Sequence, residues 1–231
     1  MSSNNYSPDT LGNQFLSKVY LWMFVGLSIT AVVSYTIYMS PSLQATFIPL
    51  YFIFLILQLG LVILLSWKIK SLSPAMATGV FIFYAALTGI TLTAILMFYT
   101  ISSVFIAFVT AAGMFIGMSL FGFFTKRDLS GVGRFMLMAL IGLIIAMVLN
   151  LLLFFIAPAA ASSLSFVISA IAVLIFAALT AYDTQRIKEM GKSIDRNDPF
   201  AQNLAIIGAL RLYLDFINLF IHLLRIMGTR R

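Results

Sequence analysis

The chain has 231 residues, 62% of them hydrophobic and only 9% charged, with a net charge of +7 and no cysteine. Soluble domains carry roughly 25% charged residues, so this composition excludes a soluble enzyme or carrier and belongs to a polytopic membrane protein. Disulfides and thiolate metal centres are ruled out, and a single histidine, His222, argues against zinc. In so apolar a chain the basic surplus reads as membrane orientation, not nucleic-acid binding.

Residues 1–17 are polar and read as a cytoplasmic tail; residues 18–231 form one transmembrane domain. Seven apolar segments follow in chain order, at about 18–38, 47–67, 76–97, 101–124, 133–156, 165–187 and 204–227, each near the ~20 residues that a spanning helix needs. Ser40-Pro41-Ser42 breaks the first from the second, Ser71-Leu72-Ser73-Pro74 the second from the third, and Ala157-Pro158 closes the fifth. The third and fourth are joined tightly around Tyr99-Thr100. Barrel strands would alternate polar and apolar over ~10 residues, and no such pattern is present. The expected fold is an all-α bundle of seven transmembrane helices.

Lys18, Lys68, Lys70, Lys126, Arg127, Arg134, Arg186, Lys188, Lys192 and Arg196 fall on the N-terminal side and in alternate loops, while the intervening loops carry no Lys or Arg. The positive-inside rule then places the N-terminus in the cytoplasm. Seven spans leave the C-terminus outside, against the preference of Arg230 and Arg231.

Charge is nearly absent from the spans, which makes Asp183 and Asp215 conspicuous. An acid at bilayer depth costs of order 2.5–3.5 kcal/mol on insertion scales and is a functional-site candidate by default. In the last segment Arg211, Asp215, Asn218, His222 and Arg225 recur at helical spacing along one stripe. Such a stripe lacks partners in lipid, so the last helix is expected at the centre of the bundle. The i,i+4 spacing of Arg211 and Asp215 also allows an intrahelical ion pair. Antiparallel packing of the last two helices would bring Asp183 and Asp215 to a similar depth. Two carboxylates within hydrogen-bonding range cannot both ionise cheaply and titrate as one unit, and hard carboxylate oxygens suit Ca²⁺.

The motifs YDTQRIK at 182–188 and LYLDFINLF at 212–220, with LGLVILLS at 59–66, resemble the Bax inhibitor-1 (transmembrane Bax inhibitor motif) family over nearly the whole chain. The resemblance implies a seven-helix bundle with the last helix central. It implies a pH-sensitive passive calcium leak gated by a di-aspartyl pair, which carries over to Asp183 and Asp215. Such proteins are not enzymes and need no cofactor, Ca²⁺ being the transported ion. An alternative role is an interaction protein that modulates a membrane protease or a cell-death or stress response without transport. The compact chain suits a bacterial inner membrane. Two positions depart from the pattern: Gln58 stands where many relatives carry Glu, and Lys68 where Arg is common. Both are candidates for a latch or pathway, with Arg211, Asn218 and His222. Lys lacks the bidentate fork of Arg, so a latch at Lys68 would be weaker, or Lys68 snorkels at the interface.

Intramembrane aspartyl proteases also pair two aspartates, but they carry Gly-x-Gly-Asp where this chain has Leu212-Tyr213-Leu214-Asp215. Without those glycines a substrate backbone cannot approach closely. Gly113, Gly117 and Gly122 are expected to allow tight helix packing, and Asn150 to bond a neighbouring helix. The loop acids Asp195 and Asp198 read as an exposed turn.

Overall fold

The structure, a computed structural model, describes residues 7–69, 71–194 and 200–231. Lys70, Arg196, Asp195 and Asp198 lie outside these residues. Among the described residues there is no strand, and eight helices follow one another: α1 (Pro8–Met39), α2 (Pro41–Phe47), α3 (Tyr51–Lys68), α4 (Pro74–Leu96), α5 (Ile101–Phe124), α6 (Ser130–Ile156), α7 (Pro158–Lys192) and α8 (Phe200–Met227). A 3-10 turn at Ile48–Leu50 joins α2 to α3, and among the described residues seven stretches are long and apolar enough to span a membrane. The all-α transmembrane expectation holds.

The expected breaks act as helix starts. Pro41, Pro74 and Pro158 each open a helix, where a missing N–H costs nothing. Ser73 caps α4 by accepting from Met76 N, and Thr100 caps α5 by accepting from Ser103 N. The first helix starts well before residue 18. Ser7 caps it, and Gly12, Phe15 and Leu16 are buried, so residues 8–17 belong to α1 and not to a polar tail. An ion pair between Asp9 and Lys192 (3.0 Å) ties this end of α1 to the end of α7.

The chain divides into two compact units: residues 1–98 with 187–213, and residues 99–186 with 214–231. In the first, α1 and α4 pack closely. Gly26 lies against Phe81 and Tyr213, and Gly89 against the Thr30 carbonyl, so each glycine lets a neighbour occupy the place of its missing Cβ. The Tyr213 hydroxyl and Thr30 Oγ1 lie 2.6 Å apart, and Thr30 Oγ1 donates to the Ala85 carbonyl. Phe81 and Tyr84 each meet the Tyr213 ring edge-on at 5.9 Å. Buried Asn203 donates to the carbonyls of Ile69 and Leu72, closing the end of α3.

In the second unit α5, α7 and the last part of α8 pack together, with α6 tied to α7 by the expected bond, Asn150 Nδ2 to Ser165 Oγ (2.7 Å). The expected small-residue contact is only partly realised. Nothing lies within 4 Å of where a Cβ would stand on Gly113 or Gly117, whereas Gly122 sits directly on the backbone of Ala181. Spacing alone does not tell which face of α5 meets a neighbour. The C-terminal residues pair with the α4–α5 connection: Thr100 N donates to Thr229 O, and Thr229 N to Ser103 Oγ. The chain end therefore lies on the same side as a connection devoid of Lys and Arg, which agrees with the parity of seven spans.

Burial separates the spans. In α8, 67% of the spanning window is buried, the largest share of the seven, against 6% in α6 and in the α2–α3 stretch. The last helix is the most enclosed, as its polar stripe requires. The stripe itself is not uniform: Asp215 and His222 are buried and Asn218 is half-buried, but Arg211 and Arg225 are exposed. A long arginine can carry its charge outward while its stem stays packed; a short acid cannot.

Candidate functional site

Asp183 on α7 and Asp215 on α8 both belong to the second unit and are 8% and 4% exposed, so each carboxyl is withdrawn into the interior. Neither is without a partner, and nor is Arg211.

Two sets of contacts fix the level of the two acids. As consecutive spans, helices α7 and α8 run antiparallel, and within the second unit His222 on α8 meets residues of α7. There, His222 stacks on Phe176 with ring centroids 6.2 Å apart and an interplanar angle of 17°. Seven residues on from Phe176 is Asp183, and seven back from His222 is Asp215. Seven residues are close to two full turns, so each acid keeps the face of its member of that stacked pair about 10 Å along the helix axis. Because the helices are antiparallel, both displacements run the same way and leave the acids level with each other. Helix α5 gives the same result. Thr184, next to Asp183, meets Ser119 (3.4 Å), and Phe216, next to Asp215, packs edge-on against Phe115, one turn away on α5. The structure thus brings the two acids to one level.

The residues preceding Asp183 are packed by close approach to two glycines. Gly122 admits Ala181, and Gly133 on α6 admits the ring of Tyr182. A larger residue at Gly122 would push the α7 backbone away, and one at Gly133 would displace the Tyr182 ring. Next to these contacts the side chain of Gln185 clips the α5–α6 connection: its Nε2 donates to Arg127 O (2.8 Å) and its Oε1 accepts from Leu129 N (2.9 Å).

His222 is 2% exposed and lies 3.3 Å from Ser169 Oγ through Nδ1, a satisfied imidazole two turns from the acids. Asn218 donates to the Leu214 carbonyl within its own helix (2.8 Å). Gln58, Lys68 and Arg211 belong to the first unit. Gln58 Nε2 donates to Thr91 Oγ1 (3.0 Å) and so ties α3 to α4, and Lys68 is exposed in the last turn of α3. An exposed cation at a helix C-terminus complements the helix dipole and fits the snorkelling reading. Among the described residues no group of three or more His, Cys, Asp or Glu could hold a metal ion. Sequence reasoning missed Gln185, Gly133 and Ser169, whose roles depend on partners far away in the chain.

The family model described as "Inhibitor of apoptosis-promoting Bax1" matches residues 12–231. Inner membrane protein YbhL of Escherichia coli (strain K12) is 45% identical over 221 residues, covering 94% of this chain and 92% of that protein. An uncharacterised protein of Borreliella burgdorferi is 40% identical over 222 residues (95% and 93% covered), and the membrane protein SpyM3_0260 of Streptococcus pyogenes serotype M3 is 39% identical over 230 residues, 96% of each.

Proposed function

Since the chain belongs to the Bax inhibitor-1 family of multi-pass membrane proteins, we propose that it is a passive cation leak, with Ca²⁺ as its cargo, gated by the protonation of Asp183 and Asp215. The observation that carries this reading is the placement of two buried carboxyls at one level on antiparallel helices. A carboxyl in so apolar an interior needs a reason beyond packing, because an apolar residue would fill the same space at lower cost. With a proton shared, the pair clamps α7 to α8. With both acids ionised, repulsion loosens the clamp, and the two carboxylates, with backbone carbonyls, offer hard oxygen ligands to a divalent cation. Arg211, Asn218 and His222 tune the pair; they do not ligate the ion. The setting is a bacterial inner membrane with the N-terminus in the cytoplasm.

The test is Ca²⁺ flux into proteoliposomes as pH is varied from about 5 to 8, the range that paired carboxyls reach. Wild type should leak less at the acidic end. Asp183→Asn and Asp215→Asn should each abolish the pH dependence even where flux persists, since an amide neither ionises nor shares a proton. Absence of cation flux at every pH, with retained binding to a membrane protease in cells, would replace the leak with a role as an interaction protein.

A further inference from the structure

In the second unit, four exposed cations gather around one short connection. Lys126 and Arg127 lie on it, Arg134 follows in the first turns of α6, and Arg186 stands on α7. Among the described residues none of the four takes part in a salt bridge. Asp128 does not neutralise them by contact: its Oδ1 accepts from the N–H of Ser130, two residues on (2.9 Å).

The connection is held at every step. Thr125 N donates to Phe121 O, Arg127 N to Thr125 Oγ1, and Gln185 spans Arg127 O and Leu129 N, while buried Leu129 anchors the turn. Arg186 is held too. Its guanidinium carbon lies 5.9 Å from the centroid of the Tyr182 ring, and Nη1 donates to the Tyr182 hydroxyl (3.3 Å). The same ring sits on Gly133, next to Arg134. Mobile lysines would satisfy the positive-inside rule equally well; orientation requires neither arginine nor a clipped loop. Guanidiniums match the geometry of a phosphate group, and here one of them is held against Tyr182 while Arg127 is carried on a clipped backbone and Arg134 follows the glycine under the same ring.

We propose that this cationic cradle of Lys126, Arg127, Arg134 and Arg186 is a binding site for the headgroup phosphate of an anionic phospholipid. The lipid is favoured over free phosphate by what adjoins the charges. Phe124 is 71% exposed and Phe135 61% exposed, each within two residues of a cradle cation, giving acyl chains an apolar surface just below the headgroup. Headgroup binding would brace the α5–α6 connection and, through Gln185, the end of α7 that bears Asp183. The site stands independently of whether the protein conducts ions.

Native mass spectrometry of the detergent-solubilised full chain, titrated with phosphatidylglycerol and in parallel with phosphatidylcholine, reads the site directly. Phosphatidylglycerol should bind more tightly, and Arg127→Gln with Arg134→Gln should weaken it by roughly fivefold per arginine removed. Arg230→Gln with Arg231→Gln removes the same charge elsewhere and should leave the preference intact. Gln185→Ala keeps all four cations but frees the loop, and should weaken phosphatidylglycerol severalfold; it carries the test alone if the double arginine variant does not fold. Equal loss in the Arg230/Arg231 variant would reduce the effect to net charge and overturn the proposal. So would an unchanged preference in Gln185→Ala, or displacement of the lipid by an equal concentration of inorganic phosphate.

Discussion

The two compact units bury polarity in different currencies. In the first, the interior polar groups around Tyr213 are neutral: a phenol, threonine hydroxyls and backbone carbonyls, joined by short bonds such as Thr30 to Tyr213. Each donor finds an acceptor within a turn or on the facing helix, so the cluster works as a clasp between α1, α4 and α8. In the second, the interior holds Asp183, Asp215 and His222, groups whose charge can change. A neutral hydroxyl network repays its burial by hydrogen bonds alone, whereas an ionisable pair brings protonation to bear on the packing of the helices that carry it. Under the proposed function, the first unit is structural and the second responsive.

The largest expected effect comes from breaking the close approach just before Asp183. Gly122→Leu places a side chain where the Ala181 backbone now sits, forcing α5 and α7 apart. Overpacking of this kind costs about 1–3 kcal/mol or more. A thermal melt of the purified protein should fall by several degrees, and the pH dependence of flux should weaken with it, because Asp183 lies two residues on. Gly113→Leu, at a position with open space around it, should leave both nearly unchanged. Equal effects at the two glycines would refute the assignment of the close contact.

A smaller change sharpens the contrast between the units. Tyr213→Phe keeps both edge-on ring contacts and removes only the hydroxyl that meets Thr30. The expected cost is about 1 kcal/mol, read in the same melt. The pH profile of any flux should keep its midpoint, since no titrating group of the second unit is touched. A shifted midpoint would mean that the hydroxyl cluster belongs to the sensor.

The smallest effect is expected at the surface. The Ser130 hydroxyl and then its backbone N–H hold the Asp128 carboxyl below its ordinary value of 3.8, with the nearby Arg134 adding to the shift. A carboxyl depressed in the folded state contributes stability above its unfolded pKa and loses it as pH falls through the folded value. Asp128→Asn should thus lower the melting temperature slightly at neutral pH, and the difference from wild type should vanish well below pH 3.8. A difference that persists there would point to a steric cause.

Local chemistry made much of this protein legible in its sequence. Unbroken apolar runs are long enough only for spanning helices, prolines cannot lie inside them unnoticed, and acids cannot enter them cheaply, so the seven spans follow from composition along the chain and Asp183 and Asp215 stand out as candidates. The motifs around those acids carried the family. The tertiary structure decided everything that depends on partners distant in sequence. It chose Gly122 over Gly113 and Gly117 as the point of close approach, turned Arg211 and Arg225 outward from a stripe whose acid and imidazole turn inward, and extended α1 back to Pro8 by packing its first turns on the end of α7. It also set the α7–α8 register that levels the two acids, and it gave Gln185 a loop to hold. Periodicity tells which residues share a face of a helix, but which face meets another helix, and at what height, is settled by packing between segments many residues apart, where spacing along the chain carries no information.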